Sequence, residues 1–377
     1  MVPEGWVITD LGEVADFLDG KRKPLKSEDR KKIRGLYPYY GATGVIDWVN
    51  DYIFDDELIL MGEDGENILS RSLPHVFQIS GKTWVNNHAH VLKPKPETDI
   101  GYLTAYLESL RYERYNSGSA QPKLNKAVCE KIPVKSPPLP EQKKIAQILS
   151  TWDQAITATE RLLENSQQRK KGLMQQLLTG KKRLPGFEGE WETFKISELE
   201  DLNWLKLGRG KVISKTDIEN IPGDYPIYSS SVKNDGLMGA YGDFMFDEEL
   251  ISWSVDGGGN FFYRSRHKFS VTNVSGYMRL DTERLSYKFL AEQLTLLHER
   301  QAFNYQTKAH PSVIRKLYTV NIPSLNEQRK IAEVLATADT EIVAHEVRLD
   351  CLKHEKKALM QQLLTGKRRV NVEAEAA

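Results

Sequence analysis

The chain repeats itself, and that repeat restricts its possible folds more than any other feature. LPEQKKIAQILSTWD begins at Leu139 and LNEQRKIAEVLATAD at Leu325, an offset of 325 − 139 = 186 residues. MQQLLTGKKR begins at Met174 and MQQLLTGKRR at Met360, again 186 residues apart. The stretch 139–183 therefore matches 325–369 without a gap, and so many identities at one register mark a duplication. Upstream the repeat is weaker and gapped. Trp6 and Trp191 each open a unit, and Tyr37-Pro38-Tyr39-Tyr40 resembles Tyr225-Pro226-Ile227-Tyr228. Phe54–Ile59 resembles Phe246–Ile251, and Asp64–Asn67 resembles Asp256–Asn260. The order is variable domain, fixed segment, variable domain, fixed segment.

The fixed segments read as long amphipathic helices. Apolar residues fall at Ile145, Ile148, Trp152, Ile156, Leu163, Leu173 and Leu177 in the first. In the second they fall at Ile331, Val334, Ala338, Ile342, Leu349, Leu352, Leu359 and Leu363. Steps of three and four are helical and close to heptad spacing. Pro140, and Ser324 with Glu327, are helix-entry signals. Gly180 and Gly366 are stops followed by basic clusters. About 40 residues give ~60 Å of helix at 1.5 Å per residue. One such helix cannot bury its stripe alone, so two in one chain most simply pair antiparallel; two separate hairpins or a homodimeric coiled coil are the alternatives. The expected architecture is α+β: two mixed α/β domains separated by two long antiparallel coiled-coil helices, with a pseudo-twofold internal repeat. The expected boundaries are 1–137, 138–183, 184–322 and 323–370, with a disordered tail at 371–377. Within the domains, Glu57–Met61 and His90–Leu92 read as strands, and Ile100–Arg114 and Leu285–Arg300 as helices.

Composition narrows the function classes. Of 377 residues, 40% are hydrophobic and 28% charged, a globular balance that needs more than one domain. No apolar run approaches the ~20 residues of a membrane span, and the N-terminus lacks a charged leader with an apolar core. Cys129 and Cys351 give neither a disulfide framework nor a metal spacing, and fit a reducing cytoplasm. The formal net charge is zero, whereas a chain that grips DNA alone is usually basic.

The order of elements, the entry Pro137-Pro138-Leu139-Pro140-Glu141-Gln142, the KIAQIL and KIAEVL runs and the duplicated QQLLTG resemble specificity subunits of type I restriction-modification systems. So do Gly118-Ser119-Ala120-Gln121-Pro122-Lys123-Leu124-Asn125 and Asn87-His88-Ala89-His90-Val91-Leu92. The resemblance covers essentially the whole chain. Asn304–Pro311 departs from it, replacing the cleaner GSAQPKLNK pattern in the second domain. It implies that each variable domain recognises one half of a split target in double-stranded DNA. It also implies that the helices act as a ruler and as a dock for two methyltransferase subunits, joined by nuclease-translocase subunits. The chain itself would be non-catalytic and without cofactor, S-adenosylmethionine, ATP and Mg serving the partners in the cytoplasm, away from any membrane. Neutral charge then fits, because partners around the DNA supply phosphate neutralisation. The alternatives are a coiled-coil scaffold and the specificity subunit of a modification-only methyltransferase.

Reading a base pair needs donors and acceptors on a surface that first holds phosphates. In the first domain the candidates are Lys21, Arg22, Lys23, Thr43, Lys82, Trp84, Asn87, His88, Ser119, Gln121 and Lys123. In the second they are Ser229, Ser230, Lys233, Arg264, Arg266, His267, Asn304, Gln306 and Lys308. Catalytic motifs are not evident. Ser136-Pro137-Pro138-Leu139 lacks the amide or carboxylate and the ring of an adenine-methyltransferase motif. Glu141-Gln142-Lys143 carries only half of a nuclease pattern, its glutamate explained by a helix dipole. No P-loop is present, and Asp256–Asn260 reads as a turn.

Overall fold

The computed structural model describes residues 2–118, 120–231, 233–256, 258–301 and 308–372. The chain divides into two units, residues 1–160 with 347–377 and residues 161–346. Each unit holds one variable domain and part of each fixed segment. Both fixed segments are single helices of 39 residues, Leu139–Leu177 and Leu325–Leu363.

The ends of these helices explain why the repeat is tightest there. Past the first, Gly180 takes φ 69° and Lys182 N–H closes on the Gln176 carbonyl at 3.1 Å. Past the second, Gly366 takes φ 76° and Arg368 N–H closes on Gln362 at 3.2 Å. A left-handed residue is needed at that point, and glycine adopts it without strain. The turns aim Arg183 and Arg369 back into their units. Arg369 grips Glu141 with two bonds of 2.7 Å, and Trp6 Nε1 donates to the same carboxylate at 3.1 Å. Arg183 grips Glu327 at 2.6 and 2.7 Å. Both glutamates are buried. Both stand in the first turn, where the helix dipole favours an acid, and each is also the buried half of a bidentate clamp that ties a helix start to a helix end.

Gln142 and Gln328 beside them are buried as well. Gln142 Nε2 donates to the carbonyls of Glu97 and Pro137 at 3.2 and 2.9 Å, while its Oε1 accepts Asp99 N–H at 2.9 Å. Gln328 repeats the pattern on Arg284, Pro323 and Ser286 at 3.0, 3.0 and 2.9 Å. Within the first unit the two helices are tied by Lys353–Glu160 at 2.8 Å and by Lys356–Asp153. Within the second they are tied by Lys170–Asp339 at 2.7 Å and by Arg169–Glu341. In both units partner numbers fall as helix numbers rise, so the segments run antiparallel.

The first domain contains two four-stranded sheets. One has the order Ala15–Phe17, Ala89–Pro94, Leu58–Gly62, Val76–Ile79, all antiparallel. The other has the order Val45–Val49, Arg34–Tyr40, Lys82–Val85, Phe54–Asp55, with Tyr39 and Tyr40 parallel to Trp84 and Val85. Leu58–Gly62 is buried throughout, as its unbroken apolar run requires. A ribbon of Val7–Asp10 with Pro133–Ser136 leads into the long helix. In the second domain the two sheets merge into six strands: Leu205–Arg209, Ser275–Leu280, Phe246–Ser254, Phe261–Val271, Tyr225–Tyr228, Leu237–Tyr241. The merger follows from continuity. Phe246–Ser254 runs through with a bulge, where the first domain breaks its strand at Asp56–Glu57.

The expected helix Ile100–Arg114 is shorter, Ile100–Ser109. Leu110 turns extended, Tyr112 enters the core, and its hydroxyl donates to the Leu107 carbonyl at 2.8 Å, stopping the helix. Leu285–Arg300 is Tyr287–His298, capped by Ser286. Of the expected tail, 373–377 lies outside the described residues. Among the described residues no helix is long and apolar enough to cross a membrane.

Candidate nucleic-acid interface

Four loops of the first domain are sewn into one surface by backbone bonds. Glu63 N–H donates to the His88 carbonyl at 2.8 Å, and Leu124 N–H to the Glu63 carbonyl at 2.7 Å. Gly65 N–H donates to Pro122 at 3.0 Å, and Asp64 bridges Lys123. Segments 63–66, 86–89 and 116–125 are thereby adjacent. The fourth segment, 19–23, is joined by Arg22, whose Nη1 reaches Glu63 at 2.6 Å and the Ala89 carbonyl at 2.8 Å. Glu63 also receives Lys123 Nζ at 3.3 Å. Behind it the buried His90 bonds Asp19 at 2.7 Å and the Leu124 carbonyl at 2.8 Å. Burial pushes the Asp19 carboxyl up, but the bonds from His90 and the Val91 N–H, with the Arg22 charge, hold it below the usual carboxylate range.

In the segments so joined, Lys21, Lys23, Asn87, His88, Gln121 and Lys123 are exposed. His88 Nδ1 meets the Asp64 carboxylate at 2.9 Å. Thr43 is half-buried in a turn closed by Gly41 N–H to the Gly44 carbonyl at 2.8 Å. Lys82 stands apart, with its ammonium 4.7 Å from the Tyr52 ring and 5.9 Å from the Tyr37 ring.

The second domain builds the same junction from different residues. Val255 N–H donates to Val274 at 3.0 Å, and Ala309 N–H to Val255 at 2.9 Å, where the first domain has Glu63, His88 and Leu124. Lys308 pairs with Asp256 at 3.2 Å. Ser229 N–H closes on the Gly236 carbonyl at 2.8 Å, and the Ser229 hydroxyl accepts from Thr272 at 3.2 Å. Ser254 Oγ donates to the Ser230 carbonyl at 2.9 Å, and Lys233 is exposed. The half-buried His267 lies along the strand Phe261–Val271, bonded to the Tyr228 hydroxyl at 3.2 Å, and the exposed Arg266 sits 3.7 Å from Asp247.

Three of the expected contact residues are engaged inside the fold. Arg22 is mostly enclosed and serves as the buckle of the first loop cluster. Trp84 is a core residue whose Nε1 donates to the Lys23 carbonyl at 2.7 Å. Arg264 is buried 3.8 Å from the Tyr228 ring centre and bonds Ser252 Oγ at 2.9 Å; burial pulls its guanidinium down to about 10. Each thus spends hydrogen bonds on the fold itself. Ser119, Asn304 and Gln306 lie outside the described residues. The sequence reading missed Glu63, Asn86 and Asn116. Asn86 Oδ1 accepts the His88 N–H at 2.8 Å, and Asn116 Oδ1 accepts from Gly118 and Lys123 at 3.0 and 2.9 Å. An acid within a basic cluster carries no local signal of binding, though the repeated Asp64 and Asp256 marked the spot. Among the described residues no group of three or more His, Cys, Asp or Glu is placed to hold a metal ion.

Two copies of one family model, the type I restriction modification DNA specificity domain, match residues 3–165 and 188–350. The chain belongs to this family. The MjaVIII type I restriction enzyme specificity subunit of Methanocaldococcus jannaschii is 24% identical over 434 residues, covering 98% of this chain and 94% of its own length. A Haemophilus influenzae protein, named for the type I restriction enzyme specificity subunits, is 36% identical over 148 residues. That alignment covers 39% of this chain and only 36% of the relative. The fold is that of the S subunit of a type I restriction-modification system from M. genitalium, with a TM-score of 0.69, 17% identity and 96% of each chain covered. The junctions above fall within the two matched domains of the specificity family.

Proposed function

We propose that this chain is the DNA-reading subunit of a type I restriction-modification complex, with each domain recognising one half of a bipartite target. The carrying observation is the duplicated loop junction, which presents exposed Asn, His, Gln and Lys side chains on one domain, and exposed Lys with half-buried Ser on the other, at equivalent places in a duplicated family domain. Lysines hold phosphates, while amides and imidazole suit base edges in the major groove. The two long helices act as an antiparallel coiled coil that relates the domains by an approximate twofold, sets the spacer and docks two methyltransferase subunits. Nuclease-translocase subunits complete the assembly in the cytoplasm. Methyl transfer and cleavage, with their S-adenosylmethionine, ATP and Mg, belong to those partners. Glu141, the acid of the partial nuclease pattern Glu141-Gln142-Lys143, is bonded to Arg369 and Trp6.

Methylome sequencing of the host with and without the gene reads the target directly. Exchanging residues 1–137 for those of another family member should change one half-site and leave the other intact. Adding one helical turn, about 5.4 Å, to both helices should lengthen the spacer by about one and a half base pairs. An unchanged methylome on deletion of the gene overturns the DNA-reading proposal. An unchanged spacer overturns the ruler alone.

A further inference from the structure

Each domain exposes an aliphatic pair at the same register beside its loop junction. In the first domain the hairpin Arg34–Tyr40/Val45–Val49 sets Tyr40 opposite Val45. In the second, Tyr225–Tyr228/Leu237–Tyr241 sets Tyr228 opposite Leu237. The first two residues of each return strand face solvent: Val45 and Ile46 are 43% and 52% exposed, Leu237 and Met238 48% and 49%. The returning strands, VIDWV and LMGAY, share almost no identity. Their turns differ in length as well, spanning 41–44 and 229–236. Two divergent hairpins have kept large aliphatic groups in water at one position, although exposing each forgoes burial free energy.

The tyrosine opposite each pair anchors the candidate interface. Asn86 N–H donates to the Tyr40 carbonyl at 3.1 Å, and Thr272 N–H to the Tyr228 carbonyl at 2.9 Å. Ile46 lies against Gly41, where a Cβ would meet Ile46 Cγ2 at 3.2 Å and Asn86 Nδ2 at 3.7 Å. The aliphatic pair is thus continuous with the polar loops. The register shifts at this point, Tyr39 facing Asp47 and Tyr40 facing Val45, so Ile46 is the extra, unpaired residue of a bulge. Met238 holds the same bulge position in the second domain, where Ile227 faces Gly239 and Tyr228 faces Leu237.

We propose, resting on the DNA-reading function above, that Ile46 and Met238 are specificity residues, each packing on the 5-methyl group of a thymine in the major groove. The methyl is the apolar feature that distinguishes a thymine edge there, and it gives an aliphatic side chain beside hydrogen-bonding loops a defined partner. Burying one methyl is worth about a fourfold change in affinity.

The test uses the full chain with its methyltransferase partner and a duplex carrying the target found by methylome sequencing. Each thymine is replaced in turn by deoxyuridine, which removes only the methyl. One thymine in each half-site should be sensitive, losing about fourfold. Ile46→Ser should abolish that sensitivity in the half-site assigned to residues 1–137, and Met238→Ser in the other, each leaving its neighbour's intact. Circular dichroism and Ile46→Thr check that the fold persists. Tolerance of uracil at every thymine, a half-site without thymine, or serine variants that retain the sensitivity overturns the inference. So does loss of methyltransferase assembly in its place, which would assign the pair to protein contact. In the uracil and serine outcomes specific binding survives; absence of any sequence-specific binding by the unmodified chain assembled with its methyltransferase would instead sink the DNA-reading proposal itself.

Discussion

Replacing Gln142 with methionine isolates the device that joins a long helix to its domain. Methionine keeps the length and approximate volume of glutamine, so no cavity opens and little overpacking follows. What is lost is three hydrogen bonds, one fully buried and two partly so, to the Pro137 and Glu97 carbonyls and the Asp99 N–H. A neutral hydrogen bond contributes about 1 kcal/mol net, and stranding a buried partner costs somewhat more. The expected loss is therefore about 3 kcal/mol, read as a lower urea midpoint for the full chain. The location of the loss is equally specific. Asp99 is the N-cap of Ile100–Ser109, its side chain accepting Tyr102 N–H at 2.8 Å. Hydrogen exchange should therefore speed up in that helix, while Tyr287–His298, pinned by Gln328 through Ser286, keeps its protection. Gln328→Met should give the mirror result. A loss below about 1 kcal/mol, or equal exchange changes in both helices, would refute the view that each amide independently fastens its own domain.

Two further outcomes follow from the first domain. His75 is buried, its ring centre 4.6 Å from that of Tyr112 and its Nε2 without a hydrogen-bond partner among the described residues, and burial lowers its pKa to about 3. The unfolded chain, with an ordinary histidine near 6.5, takes up the proton first as pH falls. This stability is present above pH 6.5 and lost towards pH 3, at up to about 1.4 kcal/mol per unit. His75→Leu should flatten the slope of urea midpoint against pH relative to the unmodified chain, and an unchanged slope would contradict the burial. Separately, Lys21→Ala and Lys123→Ala should each weaken DNA binding and reduce the salt slope by roughly 0.9 if each contacts one phosphate. Arg22→Ala should instead lower stability through the buckled loops, and a pure salt-slope effect there would restore it as a phosphate contact.

Much of the architecture was legible because the duplication kept the residues that terminate and clamp the helices. Gly180 and Gly366 announced left-handed turns, and the periodic stripes announced helices that cannot stand alone. The glutamates were legible as first-turn acids but not as clamps, because the sequence does not show that Arg183 returns to Glu327, or Arg369 to Glu141, across 144 and 228 residues. Site residues divided along a similar line. Asn87, His88, Gln121 and Lys123 were recognisable as polar loop residues and are exposed together. Arg22, Trp84 and Arg264 look equally apt in sequence, yet the fold uses them internally.

By itself, the sequence determined the two-domain repeat and the two long helices, because periodicity, glycine stops and duplicated blocks are local signals. Tertiary structure alone decided which cations remain at the surface, which loops share a junction, and that an aliphatic pair stands exposed beside each one. Those outcomes depend on backbone bonds between residues far apart in the chain, such as Leu124 to Glu63 and Ala309 to Val255. A side chain's polarity says what it could bind, and only packing says whether its donors are already taken.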